Sequence, residues 1–246
     1  MISVITPTGD REIAFKLCLS WINQQTVKPD QWIVVDDGKR EKFNIDSLPS
    51  FAQYVRREPQ LTDHKFTLVE NIKEAVKYIA GNQIFIMEDD EYYAPQYLEV
   101  MSKHLEPVAV VGIGCSKYYH LPTGGYEVHQ NKEHASLAQT GFTDKFLPNF
   151  NSCIEKGMGT CWLDDQLWKA VQASQRSSAK IPFDLFVDNG SPLYVGMKGL
   201  PGRDGIGVGH KPQSYRGRVD DKNRTLLKQW IPLHYQKYLD VLEKIR

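Results

Sequence analysis

The chain is predicted to fold as an α/β domain with a mainly parallel, doubly wound sheet, and three stretches predict it. Ile2–Thr6, Gln31–Val35 and Gln83–Met87 are short β-rich apolar runs, each stopped abruptly by polar or acidic residues. Helical periodicity fills the intervals between them, as strand, crossover and parallel strand require. In an open parallel sheet, ligands gather at the carboxyl ends of such strands.

Length and composition fit that class. The 246 residues allow one large domain or two small ones, and 41% hydrophobic with 24% charged residues is ordinary for a globular protein. Lysine plus arginine equals aspartate plus glutamate at 30 each, so no overall field draws the chain to nucleic acid or to a membrane. The four cysteines show neither a CxxC pair nor a disulfide spacing, no apolar signal precedes the first strand, and no apolar run is long enough to cross a bilayer. A cytoplasmic protein without an integral membrane segment is expected.

Taken in order, the strand Ile2–Thr6 ends at Pro7-Thr8-Gly9-Asp10, and Glu12–Asn23 carries apolar residues at helical spacing. Gln31–Val35 ends at Asp36-Asp37-Gly38, residues 39–50 read as a loop, Phe51–Val55 as a third strand, and Glu70–Ala80 as a helix leading into Gln83–Met87. Ala94–Leu105 is predicted helical with Pro95 in its first turn. Val108–Cys115 is another apolar run, and the aromatic stretch after Tyr118 forms a candidate hairpin around Thr123-Gly124-Gly125. Leu163–Ser174 reads as a helix, Phe183–Val187 as a buried segment, and Pro192–Leu200 as a short helix. Asn223–Lys244 has one apolar face, with Pro232 expected to kink or divide it.

The chemistry concentrates at Glu88, Asp89 and Asp90, which end the strand Gln83–Met87. Crowded carboxylates repel one another unless a cation or protons neutralise them, and hard oxygen ligands favour Mg²⁺ or Mn²⁺. A solvated acidic turn is the plainer alternative. A dinucleotide-binding fold is disfavoured, because TPTGDR after the first strand lacks G-x-G-x-x-G.

ISVITPTGDR, QWIVVDDGK and IFIMEDDEYYAPQYLE, in this order and at these spacings, resemble the GT-A fold glycosyltransferases of the family 2 type. The resemblance is strongest from residue 2 to about residue 105. It implies a single GT-A domain whose nucleotide-sugar-binding half is residues 1–105, with an acceptor half at 106–222 and a terminal helix at 223–246. Carried over by position, it implicates Thr6, Pro7, Thr8, Asp36 and Asp37 in holding the nucleoside of a UDP- or GDP-sugar. Glu88 and Asp90 fall on the outer positions of the family's DxD element. Asp90 is the implied metal ligand, with Glu88 and Asp89 orienting ribose, sugar or metal-bound water.

The second half matches more loosely. The family's acid pair, followed by a short helix and glycine, resembles VDNGSPLYVGMKG, which puts Asp188 on the second acid, eleven residues before Gly199. Asp188 is thereby the implied general base, although Val187 replaces the first acid. His210 resembles the histidine that many GT-A enzymes add to the metal shell, and Arg216, Arg218 or Lys211 are expected to add donors to diphosphate oxygens. Asp164 and Asp165 suit the dipole of a helix's first turn, or alternatively bind acceptor or serve catalysis with Trp162 and Tyr118.

The acceptor is less defined. From Lys198 onward the chain carries eleven basic residues against five acidic, which suits a donor diphosphate, an anionic polymer or lipid, or DNA phosphates. The segment from Tyr118 to Phe142 resembles small phage-associated glycosyltransferases that decorate hydroxymethylated pyrimidines in DNA, so modified DNA is the first expectation and a bacterial surface glycan the second. A nucleotide-sugar-binding protein without turnover is a further alternative. Oligomeric state is not predicted.

Overall fold

The computed structural model describes residues 1–39, 45–160, 162–173, 178–181, 190–203 and 221–245. A seven-stranded sheet forms the centre, in the order β10-β6-β9-β4-β1-β2-β3. These strands are β1 (Ile2–Thr8), β2 (Gln31–Asp36), β3 (Ala52–Arg56), β4 (Gln83–Ile86), β6 (Val110–Ile113), β9 (Thr140–Thr143) and β10 (Ser178–Ile181). β1 lies parallel to both β2 and β4, β2 is parallel to β3, and β9 alone runs antiparallel, to β4 and β6.

Alternation along the strands builds two cores. Val4, Trp32, Val34 and Phe85 face one side, with Phe15, Trp21 and Ile22 of α1 (Glu12–Gln24) and Leu98 and Met101 of α3 (Tyr97–Leu105). Ile5, Ile33, Val35, Ile84 and Ile86 face the other, against α2 (Leu68–Val76), α4 (Leu147–Gly157) and α5 (Leu163–Ala173). Being buried on both faces is what turns these strands into nearly continuous apolar runs.

A second sheet of four strands, β5-β11-β7-β8, stands beside the first. It contains β5 (Tyr92–Tyr93), β7 (Cys115–His120), β8 (Gly125–Gln130) and β11 (Tyr194–Lys198). β7 and β8 form the hairpin expected around Thr123-Gly124-Gly125. β11 is a correction, because Pro192–Leu200 was expected to be helical. Tyr194 and Val195 favour extended backbone, and pairing to β5 on one side and β7 on the other settles it.

The C-terminal helix divides at Pro232 as expected, into α6 (Thr225–Trp230) and α7 (Tyr235–Ile245). Tyr238 stacks on Trp21 at 6.0 Å, and Trp21 meets Tyr92 edge-on at 5.1 Å, so α7 backs α1 and β5. Cys18, Cys115 and Cys153 are buried free thiols. Among the described residues no helix is long and apolar enough to cross a membrane.

Candidate active site

The chain leaves β1 toward β2 on one side and later returns as β4 on the other, so the carboxyl ends of β1 and β4 flank a topological switch point. Thr8 ends β1, and Met87 extends β4 by donating its N–H to Ile5 O at 2.9 Å. Thr6 donates from Oγ1 to Met87 O at 2.8 Å and accepts from Trp32 Nε1 at 2.8 Å. Its hydroxyl is therefore spent inside the core. Pro7 is buried in β1.

Residues 88–91 form a turn between β4 and β5 that is anchored at both ends. Glu88 N–H donates to Tyr93 Oη at 2.9 Å, and β5 pairs at once with β11. Asp89 accepts from Thr8 Oγ1 at 2.7 Å and from Arg11 Nη1 at 2.7 Å, while Arg11 Nη2 reaches Asp90 Oδ2 at 2.9 Å. Glu91 accepts from Met197 N–H at 2.7 Å and pairs with Lys198 Nζ at 2.6 Å. The side chain of Glu88, a half-buried residue, makes no hydrogen bond or ion pair among the described residues.

One oxygen each from Glu88, Asp90 and Glu91 can be chosen so that all lie within 4.8 Å of one another. This all-oxygen donor set suits a hard divalent cation such as Mg²⁺ or Mn²⁺. Lys198 already balances the charge of Glu91, so Glu88 and Asp90 are the carboxylates that would hold it. Desolvation, reinforced by Asp90 and Glu91, pushes the Glu88 carboxyl up to about 8. Burial pushes Glu91 up to about 7 against the pull of Lys198, and it also raises Asp89 against Arg11.

The acids after β2 form a second group. Asp36 accepts from Gly38 N–H at 2.8 Å and Tyr54 Oη at 2.7 Å. Asp37 is held between Arg57 Nη2 at 3.0 Å and Arg203 Nη2 at 2.7 Å. Arg57 also binds Asp63 and Asn71, and Asn71 donates to Thr8 O. Arg203 connects the two groups, since its carbonyl accepts from Arg11 Nε at 2.9 Å and its N–H donates to Asp10 O at 3.2 Å.

Asp164 and Asp165 open α5 but face different ways. Asp165 pairs along the helix with Lys169 at 2.6 Å. Asp164 turns inward to His134 Nε2 at 3.1 Å, and its charge acts on both Glu88 and Tyr118. Tyr118 places its ring 5.4 Å from Lys198 Nζ and crosses over Gly196, where a Cβ would lie 2.2 Å from Cδ1. Trp162, just before α5, is 55% exposed.

The structure thus brings together Thr8, Glu88, Asp89 and Asp90, with Tyr118 reaching them through Lys198 and Glu91, and Asp36 and Asp37 on the neighbouring strand end; Asp164 is held on His134. Asp188, His210, Lys211, Arg216 and Arg218 lie outside the described residues. Sequence reasoning missed Arg11, Glu91, His134 and Lys198. Arg11 and Glu91 stand inside the motifs already singled out, but their partners lie 78 to 107 residues away.

The family profile for glycosyl transferase family 2 matches residues 3–159. The chain is 27% identical over 106 residues to the uncharacterized glycosyltransferase YwdF of Bacillus subtilis (strain 168), covering 43% of this chain and 38% of that protein. The crystal structure of S. aureus TarS 1-349 superposes with a TM-score of 0.57 at 14% identity, covering 80% of this chain and 60% of that one. The same fragment in complex with UDP gives 0.56 at 17% identity with the same coverage. The chain therefore spans well under two thirds of the curated relative and 60% of these solved chains, which share its fold. With the profile covering more than half its length, the chain belongs to glycosyl transferase family 2.

Proposed function

We propose that the protein transfers a sugar from a nucleotide-sugar, a UDP-sugar in the first instance, to a hydroxyl of a bacterial surface glycan, with a divalent ion at Glu88 and Asp90. The observation that carries this reading is the convergence of Glu88 and Asp90 at the switch point, beside Thr8. Family membership and the fold shared with a UDP-bound structure support the donor class. Similarity to two bacterial proteins favours a surface glycan over modified DNA.

A bound divalent ion would neutralise charge on the diphosphate as the glycosidic bond breaks. The chain's own groups do the rest. Asp36 and Asp37, fixed by Tyr54, Arg57 and Arg203, present a rigid polar edge to the nucleoside. Thr8 holds Asp89 in place and Tyr93 Oη holds the Glu88 backbone, so that Glu88 and Asp90 keep their spacing. Arg216, Arg218 and Lys211 are proposed donors to the diphosphate, and His210 a further metal ligand.

The acceptor hydroxyl needs a base during attack, and such a base contributes on the order of 10²–10⁴ in rate. Asp188 holds this role by motif position, but the helix expected after it is β11. Asp164 is the candidate among the described residues, since it opens a helix and is oriented by His134. We assign the base to Asp164, with a single displacement inverting the anomeric carbon.

The test is transfer of labelled sugar from a panel of nucleotide-sugars, with Mn²⁺ or with chelator, to surface glycan fragments and to hydroxymethylated DNA. Mn²⁺-dependent labelling of the glycan is expected. Labelling of DNA alone would reassign the acceptor, and donor binding without transfer or hydrolysis under any condition would reduce the protein to a nucleotide-sugar binder.

A further inference from the structure

We propose that Arg11 and Lys198 are resident counter-ions that hold the acidic turn at the charge of one divalent ion, so that the ion is taken up and given up with the donor's diphosphate. This rests on the metal-dependent reading above.

Four carboxylates occupy consecutive positions, Glu88 to Glu91, at the end of a buried strand. Two cations are built into the same cluster, and each is bound by more than proximity. Arg11 forks across Asp89 and Asp90 at 2.7 and 2.9 Å, and its third direction, Nε, is fixed on the Arg203 carbonyl. A guanidinium used on two edges cannot swing away without breaking several bonds.

Lys198 Nζ meets one Glu91 oxygen at 2.6 Å while Met197 N–H of the same strand takes the other at 2.7 Å. The side chains of Lys198 and Glu91 are 7% and 2% exposed, so water screens this pair little. With Arg11 and Lys198 in place, the four carboxylates, once ionised around a bound ion, carry a net of two negative charges, the charge that a single divalent ion balances.

The consequence is a site tuned for exchange rather than for permanent retention. Four uncompensated acids would hold one ion tightly or attract a second. Each resident cation repels an incoming Mn²⁺ across a short, poorly screened distance, and its removal should tighten ion binding by about tenfold or more. A side chain that only braced the turn would show the opposite sign, because its loss would loosen the ligands.

The experiment is Mn²⁺ titration of the whole metal-free protein at pH 8 by calorimetry, together with melting temperatures with and without Mn²⁺. The proteins are wild type, Lys198→Met, Arg11→Met and the double variant Glu91→Gln/Lys198→Met, which removes both charges of one pair and guards against a misfolded single variant. Wild type is expected to bind one ion weakly. Lys198→Met and Arg11→Met should bind it about tenfold more tightly or take up a second. Each should melt lower without metal but gain more from it, and the double variant should return to wild-type affinity.

Unchanged or weakened Mn²⁺ binding by folded single variants would overturn the counter-ion role while leaving the metal site standing, as would a double variant that departs from wild-type affinity. Wild-type protein that binds no Mn²⁺, with or without UDP, would instead remove the metal-dependent reading and this inference with it.

Discussion

His134 Nε2 lies 3.1 Å from Asp164 Oδ2, joining the loop after β8 to the first turn of α5. The contact fixes one Asp164 oxygen, while the other accepts Asp165 N–H at 2.9 Å. A carboxylate restrained in this way is oriented before an acceptor arrives.

Asp164→Asn is therefore expected to lower transfer by about 10²–10⁴ while leaving Mn²⁺-UDP binding intact, as calorimetry and initial rates would show. His134→Gln should give a smaller loss by freeing the carboxylate. Near-normal turnover by Asp164→Asn, with loss in Asp188→Asn, would return the base to Asp188.

The raised carboxyls of Glu88, up to about 8, and Glu91, up to about 7, predict how stability depends on pH. Unfolded glutamate titrates at about 4.3, so the folded state holds these protons more tightly. Their contribution is full below that value and is lost as pH rises through the folded values. Metal-free protein should therefore melt lower at pH 8 than at pH 5.5, and Mn²⁺ should raise the melting temperature more at pH 8. Equal Mn²⁺ effects at both pH values would contradict the assignment.

Gly196→Ala tests the packing of β11 under Tyr118. The added Cβ would lie 2.2 Å from Tyr118 Cδ1, so the ring has to move. The expected cost is about 1–3 kcal/mol in denaturant unfolding, with a rise in acceptor KM. The double variant Gly196→Ala/Tyr118→Leu should recover much of the stability but not the KM.

Asp37 gives a shift of the opposite sign at acid pH. Burial alone would raise its pKa, but bonds from Arg203, Thr67 and Asn71 outweigh that and lower it. Its stabilisation is present above about 3.9, the unfolded value, and is lost as pH falls through the lower folded value. Arg203→Met should move the acid-unfolding midpoint, followed by circular dichroism, to higher pH. It should also weaken UDP binding.

The strands that build the switch point were legible because burial on both faces leaves apolar runs cut off by acids, as in QWIVVDD and IFIMEDD. Pro232 likewise announced the division between α6 and α7. β11 was misread because a five-residue apolar run carries little periodicity, and its strand state depends on partners distant in sequence. α4 was not anticipated: LPNFNSCIEKG mixes one apolar stripe with polar residues and follows a weakly periodic stretch. Glu88 to Asp90 could be read as a site, yet the arginine and lysine that balance them could not. Nothing local in TPTGDR or VGMKG states which acid each will meet.

The turn at residues 88–91 is tied to Thr8, Arg11, Tyr93 and Lys198, which arrive from separate parts of the chain. Such a floor cannot be remodelled piecemeal, whereas the walls at the half-exposed His134 and the exposed Trp162 have more room to change. Changes of sugar or acceptor preference, in nature or by engineering, should accumulate in those walls and leave the floor as inherited.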